Sequence, residues 1–143
     1  MKTPTVQHLP AIASLLADSG LPTDDLVEQD LSLFRIEESE AGLTAVGGLE
    51  RCGQTALIRS VATAGAMQGR GIAGRIVEAL ERLAEDQGFA SLYLLTESAE
   101  RYFESRGYST VDRAEVPQAV RESRQFSSLC PSSATILFKR VGA

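Results

Sequence analysis

Histidine occurs once in this 143-residue chain, at His8, and cysteine twice, at Cys52 and Cys130. A single histidine and two distant cysteines with no CxxC leave no histidine-based metal site. The thiols read as free in a reducing cytoplasm. No apolar run approaches the length of a membrane span, and the opening MKTPTVQHLP has no signal-peptide apolar region. The chain is therefore expected to be soluble and cytoplasmic. A Lys/Arg block is missing too. Net charge is −5, with basic residues scattered among acidic ones, which argues against nucleic acid as a main partner because such affinity rests on phosphate neutralisation. Repeats, linkers and low-complexity stretches are also absent, so residues 1–143 are read as one domain. With 43% hydrophobic residues the chain has the composition to bury a core.

What is present is a clear change of period. Leu9, Ile12, Ala13 and Leu16 recur at helical spacing and predict a helix ending near Gly20. Thr23-Asp24-Asp25 can cap a short second helix through about Gln29. Leu33–Glu37, Leu43–Arg51 and Thr55–Ala62 then read as three strands joined by tight turns, an antiparallel meander. After a glycine-rich loop, Ile72, Ile76, Leu80 and Leu83 form the apolar stripe of a long helix, with Gly88 at its C′ position. Ala90–Thr96 is a strand apolar enough to be buried on both faces. Ser98–Arg106 predicts a short helix, Tyr108–Asp112 a strand, Val116–Ser123 a helical turn after Pro117, Ser127–Ser133 a loop and Thr135–Arg140 a closing strand.

The loop Gln68-Gly69-Arg70-Gly71-Ile72-Ala73-Gly74 says most about chemistry. Glycines let a backbone approach a ligand closely, and a helix start leaves N–H groups without intrahelical partners. Together with the helix dipole these make a seat for a phosphate or pyrophosphate. Gly69-x-Gly71-x-x-Gly74 also satisfies the dinucleotide fingerprint, with Glu97 at about the spacing of a ribose-binding acid. Against an NAD-type site stand the residues Thr63–Gln68 between strand and loop, the preceding hairpins and the short remaining chain. A Walker loop is excluded because no Lys-Ser/Thr follows the glycines.

Gln68-x-x-Gly71-x-Ala73 resembles the Q/R-x-x-G-x-G/A signature of the GNAT superfamily of N-acetyltransferases, and the order of elements around it is similar over almost the whole chain. The resemblance implies an α+β fold with a mixed, strongly twisted sheet of about six to seven strands flanked by helices. It implies acetyl-CoA as cosubstrate, its pyrophosphate held by Gln68, Gly69, Arg70, Gly71, Ile72, Ala73 and Gly74 and its pantetheine arm paired with Val61 and Ala62. Gly20-Leu21-Pro22, Leu57-Ile58-Arg59-Ser60, Tyr93-Leu94-Leu95-Thr96 and Gln125-Phe126 through Leu129-Cys130-Pro131 further resemble the small branch found with arsenic-resistance genes. Members of that broader group acetylate the amine of toxic amino acids, including phosphinothricin and its arsenic analogue. Such relatives often form homodimers.

Acetyl transfer needs a neutral amine, a polarised thioester carbonyl and a way for the thiolate to leave. A backbone N–H near Val61–Ala62 can polarise the carbonyl. Glu50 is the leading candidate for amine deprotonation, with a solvated strand-end acid as the alternative; Glu97 is second, with helix capping as its alternative. Many relatives carry a Tyr four residues before the Gly of the Gly-aromatic pair, here Gly107-Tyr108, to protonate the thiolate. This chain has Phe103 there, and Tyr102, about 100° away around a helix, is the catalytic candidate left. Phosphinothricin-type relatives also place a Glu where Ile58 stands. Substrate-binding candidates are Arg59, Ser60, Thr96 and Cys130. Arg59 is either an anion clamp or an arginine on the wet face of its strand. Arg113, Arg121 and Arg124 can add to such a site. Cys130 is either a substrate contact, a soft-metalloid ligand with Cys52, or a small buried apolar residue. An acyl-CoA-binding module with little catalysis is one competing reading of the whole chain, and a protein or peptide N-terminus is a further acceptor the sequence leaves open.

Overall fold

The computed structural model describes residues 1–65, 71–123, 126 and 134–142. The strands β1 (Phe34–Ser39), β2 (Gly42–Cys52), β3 (Thr55–Thr63), β4 (Ser91–Thr96), β5 (Ser109–Val111) and β6 (Thr135–Arg140) pair in the order β1-β2-β3-β4-β6-β5. β3 and β4 run parallel while β1/β2, β4/β6 and β5/β6 are antiparallel. The helices are α1 (Leu9–Asp18), α2 (Ile72–Asp86), α3 (Glu100–Ser105) and α4 (Gln118–Arg121). This is the expected α+β class, a mixed sheet of six strands among the described residues, flanked by helices. The chain parts into two compact units that interleave in sequence: Met1–Leu49 with Ser60–Leu83, and Glu50–Arg59 with Ala84–Ala143.

In the first unit the apolar stripe of α1 sets the packing. Ile12, Leu15 and Leu16 are buried with Leu26, Phe34, Ile36, Val46 and Ala62 in one cluster. The helix stops where expected: Gly20 takes φ +73°, and Leu21 N–H bonds Leu16 C=O at 2.9 Å, the bond that closes a helix C-terminus. Strand alternation then sends successive residues of β2 to opposite faces. Val46 meets α1, whereas a Cβ on Gly47 would lie 2.5 Å from Ile76 Cγ2 and 3.0 Å from Leu80 Cδ1 of α2. Gly48 is bare for a different neighbour. It pairs with Phe34, whose ring would stand 2.5 Å from an added Cβ. Two adjacent glycines thus admit a helix on one face and an aromatic ring on the other.

The second unit is built on β4, which pairs with β6 from Ser91↔Arg140 to Thr96↔Thr135. Its core gathers Cys52, Leu57, Tyr93, Val116, Val120, Phe126 and Ile136. Gly88 (φ +80°) ends α2 as expected, with Phe89 N–H on Ala84 C=O at 2.9 Å.

Some expected boundaries shift. The helix anticipated from Thr23 to Gln29 is only a 3-10 turn, Leu26–Glu28. The Asp25 carboxylate accepts from Gln29 Nε2 at 3.2 Å instead of capping the backbone, and so short a segment cannot repay helix nucleation. Leu33 ends another 3-10 turn, whose start is fixed by Ser32 N–H donating to Asp30 Oδ1 at 3.0 Å, so β1 begins at Phe34. His8 closes a 3-10 turn ahead of α1 and accepts Thr5 N–H on Nδ1 at 2.9 Å, outside the helix proper. The expected loop Ser127–Ser133 lies outside the described residues.

Candidate active site

Of the seven loop residues singled out for phosphate, Gln68, Gly69 and Arg70 lie outside the described residues. The helix start that follows them is well defined. Gly71 takes φ +74°, and its carbonyl accepts the first helical hydrogen bond, from Arg75 N–H at 3.2 Å. Gly71 is therefore the cap, and the N–H groups of Ile72, Ala73 and Gly74 are the ones a helix cannot satisfy from within. Ile72 is buried on the core side, while Gly71 is exposed and Ala73 and Gly74 are half-buried. Such an arrangement fits an anionic group brought up against the backbone.

A side-chain pair that no motif marks ties this helix end to β1. Arg75, in the first turn, donates from Nε and Nη2 to the two carboxylate oxygens of Glu37 on β1, at 3.1 and 3.0 Å. The partners are far apart in sequence and share no motif, so only the fold could reveal them.

The strand leading to the loop carries a second unanticipated feature. Ser60 adopts φ +57°, the left-handed region, within β3. A non-glycine residue rarely sits there, and the backbone strain is of order 1–3 kcal/mol. Val61 is half-buried and Ala62 buried against the α1 cluster. In the second unit, the parallel pairing of β3 with β4 runs from Thr55↔Ser91 to Leu57↔Tyr93, although β4 itself continues to Thr96.

Glu50 and Arg59 are brought together. Arg59 Nη1 donates to Glu50 Oε1 at 2.9 Å. The Arg59 side chain has 0% exposure and that of Glu50 has 14%. This corrects the wet-face alternative for Arg59, because a guanidinium can be buried when it finds a carboxylate partner. It also corrects the picture of Glu50 as a solvated strand-end acid.

Around α3 the residues divide by helical angle. Phe103 is buried, its ring edge-on to Tyr108 at 5.4 Å, and Tyr102 is 40% exposed on the neighbouring face. Thr96 ends β4, and its Oγ1 accepts the N–H groups of Ser98 at 3.3 Å and Ala99 at 3.0 Å, so it ties the turn into α3. Glu97 is exposed. Arg113 lies over the Phe126 ring at 5.1 Å, while Arg124 and Cys130 are outside the described residues.

Cys52 is a free, buried thiol in the second core, with Sγ donating to Glu50 C=O at 3.5 Å. Burial, helped by the Glu50 charge, pushes the thiol up to about 11, which leaves it a protonated apolar residue at neutral pH. Among the described residues no cluster of three or more His, Cys, Asp or Glu is placed to hold a metal ion. No described helix is long and apolar enough to cross a membrane.

Residues 17–108, more than half of the chain, match the acetyltransferase (GNAT) family, and the chain belongs to that family. It is similar in fold to N-acetylglutamate synthase from Neisseria gonorrhoeae complexed with coenzyme A and N-acetyl-glutamate, with a TM-score of 0.83 and 22% identity. That match covers 98% of this chain and 34% of the synthase, so the chain spans about a third of its length. Rv2747 from Mycobacterium tuberculosis, in complex with CoA, gives 0.81 at 20% identity and 97% coverage of each chain. The ribosomal-protein-S18-alanine N-acetyltransferase from Escherichia coli gives 0.75 at 16%, covering 99% of this chain and 93% of that one. At these identities the likeness is one of fold.

Proposed function

From membership of the acetyltransferase (GNAT) family, an N-acetyltransferase class, we propose that this chain moves an acetyl group from acetyl-CoA to the primary amine of a small amino-acid-like acceptor. The observation that carries the reading is the helix start at Gly71, where Arg75 takes the Gly71 carbonyl and the next three N–H groups have no acceptor within the helix. Ile72, Ala73 and Gly74 would meet the pyrophosphate there, with Gln68, Gly69 and Arg70 completing the loop. Val61 and Ala62, just past the Ser60 break, would offer backbone groups to the pantetheine arm.

The chemistry asks little of side chains. A backbone N–H near Val61–Ala62 polarises the thioester carbonyl. Glu50 takes the proton of the attacking ammonium or amine, the new C–N bond forms and the C–S bond breaks. A thiol pKa of about 8.5 makes the thiolate a tolerable leaving group, so Phe103 in place of a phenol does not forbid turnover. Tyr102 is the phenol nearest in sequence, and Ser60 and Thr96 are the hydroxyls offered to the acceptor.

Two similarities favour an amino-acid-like acceptor. The Neisseria synthase, which shares the fold, is complexed with N-acetyl-glutamate beside coenzyme A. The arsenic-resistance resemblance favours a toxic amino acid of phosphinothricin or arsenic type, and a cytoplasmic setting suits the free thiol of Cys52. Release of free thiol from acetyl-CoA across an amine panel tests the reading. Amine-dependent, saturable release supports it. Tight coenzyme A binding with no release across the panel would make the chain a binding module, and saturable NAD binding with no response to coenzyme A would restore the dinucleotide alternative.

A further inference from the structure

The ion pair between Glu50 and Arg59 is lopsided, and the asymmetry carries an assignment. By the two-residue period of a strand, Glu50 and Cys52 share one face of β2, and Leu57 and Arg59 share one face of β3. Cys52 and Leu57 belong to the same apolar cluster, so both charged residues stand on the faces that carry it. Arg59 Nη1 reaches Glu50 Oε1 at 2.9 Å with its side chain wholly buried, whereas 14% of the Glu50 side chain stays exposed. Of the two side chains, only that of Glu50 retains exposure to solvent.

We propose that Arg59 is a positioning residue that fixes the Glu50 carboxylate for the acceptor amine, and that it does not itself bind a carboxylate of the acceptor. The proposal rests on the acetyl-transfer reading above and replaces the anion clamp expected of Arg59. Arginine suits this role because its planar fork is always charged and holds a carboxylate in one orientation. A buried ion pair is weak as a source of stability, because desolvation offsets the attraction, so its contribution here is orientation. Ser60, the next residue, takes φ +57°, and the pair anchors the chain immediately before that break.

The consequence bears on specificity. Whatever preference the enzyme has for a carboxylated acceptor does not come from Arg59. Steady-state kinetics on wild type, Arg59→Lys, Arg59→Met, Glu50→Gln and the Glu50→Gln/Arg59→Met double variant test this. The acceptors are L-glutamate, its diamide and the best member of an amine panel. Arg59→Met is expected to lower kcat about 10- to 100-fold for all acceptors alike, with acceptor KM little changed. Arg59→Lys, which keeps the charge and loses the planar fork, should recover only part of that loss, and the double variant should be no slower than Glu50→Gln alone.

A KM increase confined to L-glutamate in the Arg59 variants would make Arg59 a direct clamp and overturn the proposal. Losses that multiply in the double variant would overturn it too, as would a fall in coenzyme A binding matching the fall in kcat. If Arg59→Met does not fold, Arg59→Lys carries the same acceptor comparison. Should wild type acetylate no member of the panel, the acetyl-transfer reading itself fails and this inference falls with it.

Discussion

At the scale of single residues, neighbouring aromatics on α3 have opposite surroundings. The buried ring at Phe103 occupies the position where many relatives place a phenol, and one residue earlier Tyr102 looks outward at 40% exposure. A positioned general acid supplies roughly 10²- to 10⁴-fold, so Tyr102→Phe is predicted to change kcat by less than about twofold if the thiolate leaves unaided. Stopped-flow or coupled thiol assays on the two proteins decide it. A loss of about a hundredfold would assign Tyr102 the acid role.

Cys52 and Tyr93 make a prediction about pH. The thiol is raised from its ordinary 9.0 to about 11 by burial and the Glu50 charge, and the Tyr93 phenol is raised by burial and then by Glu115. Both are neutral when protonated and keep their protons longer in the folded chain than in the unfolded one. Above pH 9 the unfolded state therefore binds fewer protons, and stability must fall as pH rises. The Cys52 contribution is complete below pH 9 and is lost by about pH 11. Urea unfolding between about pH 8 and 11 should show this decline, and Cys52→Ala should make it shallower.

At the scale of elements, legibility followed period and turn chemistry. The stripe Ile72, Ile76, Leu80, Leu83 and the stop at Gly88 could be read because a helix writes its buried face at fixed spacing. Gly42, the first residue of β2, and Gly53, just past its end, take φ +120° and +69° beside the turns on either side of that strand. What stayed hidden depends on contacts across sequence. Alternation alone could not tell a solvated Arg59 from one buried against Glu50, and nothing in Arg59-Ser60-Val61 announces a left-handed residue in a strand. The bidentate Glu37–Arg75 link joins residues from separate elements. The α2 start yields its own test. Giving Gly71 a Cβ at φ +74° costs roughly 1–2 kcal/mol of strain, so Gly71→Ala should weaken coenzyme A binding by about tenfold in calorimetry. Unchanged affinity would mean that this helix start does not hold the cofactor.

At the scale of the whole molecule, the chain is a GNAT-family member whose fold is shared with proteins that differ widely in acceptor. That spread is physically reasonable. Phosphate recognition by a glycine loop and helix start uses backbone N–H groups common to any side-chain set, whereas discrimination among small molecules rests on individual side chains. The family was therefore legible from Gln68-x-x-Gly71-x-Ala73 and element order. The acceptor was not, because contacts between side chains on separate strands, such as Glu50 with Arg59, leave no motif.

Acetyl transfer to an amine is the step on which the proposed roles of all these residues depend. Its most direct test is mass spectrometry of an amine panel incubated with acetyl-CoA and enzyme, with free thiol counted in the same samples. The expected result is an N-acetylated product formed one-for-one with released thiol and lost in Glu50→Gln. Thiol release without acetylated amine, or no release beside tight coenzyme A binding, would contradict it.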